Sequence, residues 1–110
     1  MKFKMPYIVA INTYPSHKQN EVIKKYIEVT AKYPPNEDTG TVVAQPVAFT
    51  NNGFKVVSIW ETKKGKLEEA LTRINTFFYE FKDIEGHETD IKVWSTFPEA
   101  ISIAGIPTPE

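Results

Sequence analysis

No cysteine occurs in these 110 residues. That absence removes disulfides, thiolate nucleophiles, iron–sulfur clusters and cysteine-ligated zinc. A reducing compartment fits this without being required by it, and a cytoplasmic setting is the default expectation, since Met1-Lys2-Phe3-Lys4-Met5-Pro6 lacks the apolar run of a secretory leader. No apolar stretch of 18 residues exists to cross a bilayer, so no membrane partner is expected. Charge of one sign is missing too. The formal net charge is -1, which gives no general attraction to nucleic acid or anionic lipid. Arginine is nearly absent: Arg73 stands alone among Glu and Lys, where a solvated surface is expected. What remains is an ordinary globular composition, 41% hydrophobic and 25% charged, which argues against disorder. The length suits one domain over 1–110, with a short C-terminal extension from 98.

Residues 5–13 (MPYIVAINT) are apolar, β-rich and too short for a typical helix, so a buried strand is expected, stopped by Pro15. Ser16-x-x-Gln19 has capping-box spacing. Behind it Val22, Ile23, Tyr26, Ile27, Thr30 and Tyr33 recur at three- and four-residue steps, the stripe of an amphipathic helix that Pro34-Pro35 ends. A second strand over 41–50 carries Pro46, which removes a ladder donor and predicts an edge position or a bulge. Asn51-Asn52-Gly53 is a hairpin signal before a third strand at 54–62. Leu67, Leu71, Ile74, Phe78 and Phe81 form the clearest helical stripe, within 66–84, with Gly86 as its stop. A fourth strand is expected at 89–97, then one short helical turn within 99–104 and an extended end at Pro107 and Pro109.

This order predicts an α+β, ferredoxin-like βαββαβ sandwich. Two helices cover one face of such a sheet, and the other face must find a partner or enclose something. Alternation gives one uniformly apolar set, Tyr7, Val9 and Ile11 with Val57, Ile59, Ile91 and Val93, expected beneath the helices. The opposite set is Ile8, Ala10, Asn12 and Tyr14 with Phe54, Val56, Ser58, Trp60, Trp94 and Thr96. Its mix of aromatic and polar groups has the texture of a ligand cavity or a subunit interface. Large aromatics bury roughly 150–250 Å² each, and the largest apolar patch on a typical monomer is roughly 300–600 Å². Self-association through that face, as a homodimer or larger, is therefore expected. The alternative is that segment 100–104 folds back over its own sheet.

The element order and face pattern resemble the dimeric α+β-barrel superfamily, whose ferredoxin-like units pair sheet to sheet. The resemblance covers almost the whole chain and rests on no specific motif. It implies a homodimer with a pocket between sheet and helices in each subunit. It implies no single activity, because the superfamily includes haem-degrading and antibiotic-biosynthesis monooxygenases, muconolactone isomerases and stress-induced proteins. Asn12 and Trp60 are similar to the strand Asn and sheet Trp that its cofactor-independent monooxygenases and haem degraders pair. The haem enzymes add a His on the second helix, and 66–84 contains none. No cofactor is expected.

His17 falls in the first turn of the first helix, near the mouth of any pocket, where it could serve as a general base or simply be an exposed helix-start residue. His87, after Gly86, is expected in an exposed loop. No carboxylate pair converges on either, so no metal site is expected. Ser58 lacks the Gly-x-Ser-x-Gly elbow of a hydrolase nucleophile, and no glycine-rich phosphate loop occurs. An acylphosphatase shares the element order but needs an arginine in the loop after its first strand, where Asn12-Thr13-Tyr14-Pro15-Ser16 has none. The third-strand signature of an RNA-recognition motif would fall on 52–59. There Asn52, Val56 and Ile59 replace its basic and aromatic residues, so no nucleic-acid partner is expected.

The expected function is binding of a small apolar or aromatic compound in a pocket of Asn12, Tyr14, Ser58, Trp60 and Trp94. Cofactor-independent turnover would follow if His17 acts as acid or base while Asn12 polarises an oxygen. The competing class is a non-catalytic ligand-sensing or assembly module, similar to the effector domains of amino-acid-responsive regulators. The residues alone do not decide between enzyme and binder.

Overall fold

A computed structural model describes residues 6–103 and Gly105. Strand β1 (Tyr7–Tyr14) leads through a 3-10 turn (Ser16–Lys18) into helix α1 (Gln19–Lys32). Then come β2 (Gly40–Ala44), β3 (Val47–Thr50), β4 (Gly53–Thr62), α2 (Leu67–Tyr79), β5 (Glu88–Trp94) and a short α3 (Phe97–Ile103). The strands form one antiparallel sheet in the order β2-β4-β1-β5, with β3 continuing along β4 where β2 stops. Both long helices contribute to one core against the same sheet face, so the fold is the expected ferredoxin-like α+β arrangement.

The second strand divides where the proline predicts. Pro46 separates β2 from β3, its carbonyl accepting from the Val57 N–H at 3.0 Å, and the register shifts between Val42 and Ala44. Both pieces lie on the outer edge of the sheet. Gly53 closes the β3–β4 hairpin at φ +117°, and a Cβ there would collide with the Tyr14 carbonyl oxygen.

Two helix starts differ from expectation. The Ser16–Gln19 capping box does not form: the chain enters α1 through the 3-10 turn, no side chain caps either start, and Gln19 Oε1 is buried without a partner among the described residues. A capping box does form at Thr96-x-x-Glu99. The Thr96 N–H and hydroxyl each donate to Glu99 Oε1 at 2.9 Å, and the Glu99 N–H donates back to Thr96 Oγ1 at 3.4 Å. This starts α3 and ends β5 at Trp94 rather than at 97. The expected end at Pro107 and Pro109 lies outside the described residues.

The two sheet faces are the reverse of the expected assignment. Ile8 and Ala10 are fully buried in a core with Val22 and Val29 of α1 and Ala70, Ile74 and Phe78 of α2. The face bearing Asn12, Tyr14, Ser58 and Trp60 therefore lies under the helices. The physical reason is volume. The second helical segment presents the bulky stripe Phe77, Phe78 and Phe81, and a strand face with Ala10 and Ser58 at its middle leaves room for it. Alternation holds for β1 and β4, where Ile8 pairs with Trp60 and Asn12 with Val56. In β5 it is one residue out of step. Tyr7 pairs with Trp94 and Ala10 with Ile91, so Ile91 and Val93 sit on the helix side while Trp94 joins Tyr7, Val9, Ile11, Val57 and Ile59 on the open face.

Candidate functional site

Over the β2 edge the helices stand clear of the sheet. A cavity of about 410 Å³ opens there between the C-terminal half of α1, residues 34–41, β2 and α2. Its walls carry five aromatic rings: Tyr26 and Tyr33 at the end of the first helix, Trp60 on β4, and Phe77 and Phe78 on α2. Helical spacing explains the convergence, since Tyr26, Thr30 and Tyr33 lie four and three residues apart, as do Arg73 with Phe77 and Ala70 with Arg73. The rings support one another edge-on: Trp60 with Phe78 at 6.2 Å, Tyr26 with Phe77 at 5.7 Å, and Phe77 with Phe78 at 5.1 Å. Ala70, buried in the same wall, supplies no bulk to fill the gap.

Polar residues make up eight of the nineteen that line the cavity, and several of them are engaged. The Gln45 amide donates from Nε2 to Ser58 Oγ at 3.0 Å, and the Thr39 hydroxyl donates to the Asn36 carbonyl at 3.1 Å. The Tyr33 hydroxyl donates to Glu80 Oε2 at 3.3 Å, and Lys32 Nζ donates to the same oxygen at 3.0 Å, tying the ends of the two long helices together. The Lys32 hydrogen bond holds the Glu80 carboxyl below the usual carboxylate range, and the same bond raises the Lys32 ammonium. Thr30 Oγ1 is buried in the wall without a partner among the described residues. Arg73 is not a freely solvated surface residue. It is half-buried in the cavity wall, and its Nη2 donates to the Pro34 carbonyl at 2.8 Å. The signal for this was its position on the stripe with Ala70 and Phe77.

Of the site residues expected from the sequence (Asn12, Tyr14, His17, Ser58, Trp60 and Trp94), Trp60 alone lines the cavity. Asn12 is buried on the same sheet face, where Oδ1 accepts from Thr89 Oγ1 at 2.6 Å. Ser58 is fully buried behind Gln45. Tyr14 is buried at the end of β1, stacked on Phe54 at 5.5 Å. His17 is exposed in the 3-10 turn. Trp94, on the opposite face, is 54% exposed, which corrects its placement beside Trp60. His87 also departs from expectation. Its ring lies between Tyr14 at 6.0 Å and Phe81 at 5.1 Å, and burial pushes its pKa below the ordinary imidazole value. Burial likewise pushes the Tyr14 phenol up.

No family model and no curated protein matches this chain. Solved structures similar to it include a de novo designed protein, Foldit4, 15% identical, covering 83% of this chain and 96% of that one at a TM-score of 0.47. Another is a nipsnap family protein with unknown function from Agrobacterium tumefaciens, 16% identical, covering 86% of this chain and 92% of that one at a TM-score of 0.44. Both likenesses are remote, and the fold assignment rests on the strand order and register given above. Among the described residues no cluster of three or more His, Asp or Glu could hold a metal ion, and no helix is long and apolar enough to cross a membrane.

Proposed function

We propose that this protein binds a small, largely apolar or aromatic compound in the cavity between its helices and the β2 edge. The observation that carries the reading is a cavity of about 410 Å³ walled by five aromatic rings. Its size falls within the range of roughly 300–1,000 Å³ typical of small-molecule sites, and aromatic walls are their usual lining. Binding is proposed rather than turnover, because His17 and Asn12 do not share this cavity. The test is emission of Trp60 in a Trp94→Phe background, titrated with a neutral flat probe such as 2-naphthylmethanol. Saturable quenching is expected, and Ala70→Leu, which narrows the cavity, should weaken it. Absence of quenching by any flat aromatic probe, neutral or anionic, would remove the reading.

The second part of the proposal is a homodimer formed through the open sheet face, as in the dimeric α+β barrels that the sequence resembles. The register places the half-buried Ile11, Val57 and Ile59 around an already buried Val9 at the centre of that face, with Tyr7 and Trp94 beside them. Lys55, Glu61, Glu88, Asp90 and Lys92 surround this centre on the same face. An apolar centre with a charged rim is ordinary interface anatomy. A rim of both signs suits a two-fold contact, in which one surface must complement itself. Sedimentation at micromolar concentration should give a dimer, and a monomer there would sink this part of the proposal.

A further inference from the structure

We infer that the ligand of this cavity carries a single carboxylate on its flat apolar body, and that Arg73 binds that carboxylate. This rests on the cavity being a binding site and adds the chemical class of its occupant. Arg73 is the only arginine of the chain and, among the described residues, the only cationic side chain in the cavity wall. Its hydrogen bond to the Pro34 carbonyl fixes one end of the guanidinium at 2.8 Å and leaves the other donors of a planar fork for a second partner. Nearby lysines have carboxylates of their own: Lys25 with Glu28, Lys32 with Glu80 and Lys66 with Glu69. Among the described residues no carboxylate lies within 4.0 Å of Arg73.

Arg73 is partly buried where it lines the aromatic cavity, and its contact with the Pro34 carbonyl is solvent-exposed, so an anion entering beside the rings can take up the remaining donors of the fork. Arginine's planar fork matches the two oxygens of a carboxylate, while the aromatic walls accept a flat apolar body. Glu37, the sole carboxylate in the wall among the described residues, is exposed on the loop and selects against a second negative charge on the ligand. A monoanion follows.

The experiment compares 2-naphthoate with 2-naphthylmethanol, reading Trp60 emission in the Trp94→Phe protein. The two probes share a ring system and differ in charge. A purely apolar cavity would prefer the alcohol, because the carboxylate must shed more water, so a preference for naphthoate is diagnostic. Naphthoate should bind at least about tenfold tighter, as expected of a charge-assisted pair. Arg73→Gln, which removes the charge and keeps a neutral amide, should bring the two affinities to within about twofold by weakening naphthoate alone. Raising salt from about 0.05 M to about 0.5 M should weaken naphthoate and leave the alcohol unchanged. This salt arm needs no variant and stands if Arg73→Gln fails to fold. Equal affinities in the unaltered cavity, or a naphthoate preference that survives Arg73→Gln, would overturn the role of Arg73 while leaving the cavity a binding site. If neither probe perturbs Trp60, the binding reading falls and this inference falls with it.

Discussion

Trp60 and Trp94 face opposite sides of one sheet although they flank adjacent residues of β1, Trp60 pairing with Ile8 and Trp94 with Tyr7. Trp60 is held edge-on by Phe78, and Trp94 is 54% exposed. The two indoles therefore report separate events. In Trp60→Phe protein, acrylamide quenching of Trp94 should rise on dilution as the sheet faces part. Quenching that does not change with concentration would oppose pairing through this face.

Neighbouring valines should respond differently to the same charge. Val56 packs against the core under the helices, while Val57 sits on the open face. Val56→Asp should cost the fold at least about 2 kcal/mol, since a carboxylate would be desolvated there. Val57→Asp should leave thermal stability of the monomer nearly unchanged but prevent dimerisation. Sedimentation and melting of both variants would check this, and identical behaviour would mean the faces are not distinguished as described.

Much of the fold is legible in the sequence because its signals are local. The Leu67-to-Phe81 stripe, the break at Pro46 and the turn at Asn51-Asn52-Gly53 each depend on near neighbours. The choice of helix face is not local. Both strand sets are apolar enough to be buried, and what decides between them is the room that Ala10 and Ser58 leave for Phe77, Phe78 and Phe81. The side of Trp94 depends on register between β1 and β5, which lie far apart in sequence, and a one-residue slip inverts every side chain. Thr96-x-x-Glu99 was readable as a helix start, but it overlaps an alternating segment that competes as strand. The cavity arises from how α1 stands over β2, a tertiary property no short motif encodes. For the same reason Trp60 could be placed there only by its aromatic character, and Arg73 only by its helical phase.

Core truncations should separate from surface ones on the second helical segment. Phe78→Ala and Phe81→Ala should each cost about 3–5 kcal/mol, because both rings are buried in the cluster beneath the helices. Glu69→Ala should change stability by no more than about 0.5 kcal/mol, since its pairing with Lys66 is solvent-exposed. Chemical denaturation of the three variants measures this directly. Phe81 is the sharper test, as it lies beyond the end of α2.

Stability should fall with pH through the histidine range. Burial between Tyr14 and Phe81 lowers the His87 pKa in the folded state, so the unfolded chain takes up the proton first. The contribution is fully present above the ordinary imidazole value near 6.5 and is lost as pH drops toward the lower folded value. Glu80, whose carboxyl is held low by Lys32, acts in a more acidic window below the usual carboxylate value and does not overlap. Melting temperatures measured from about pH 8 to pH 5 should decline, and His87→Phe should flatten the curve.

The divided outer strand bears on what the border of the sheet can recruit. Val42, Val43, Val47 and Phe49 all expose more than half of their surface along an edge with no further strand beside it among the described residues. A continuous apolar edge of that kind is a template on which foreign strands add and fibrils grow. Pro46 and the register shift beside Val43 cut it into runs of five and four residues, each too short to recruit a neighbour strongly. The proline that complicates this strand is thus its gatekeeper, keeping a sticky border from propagating from one molecule to the next.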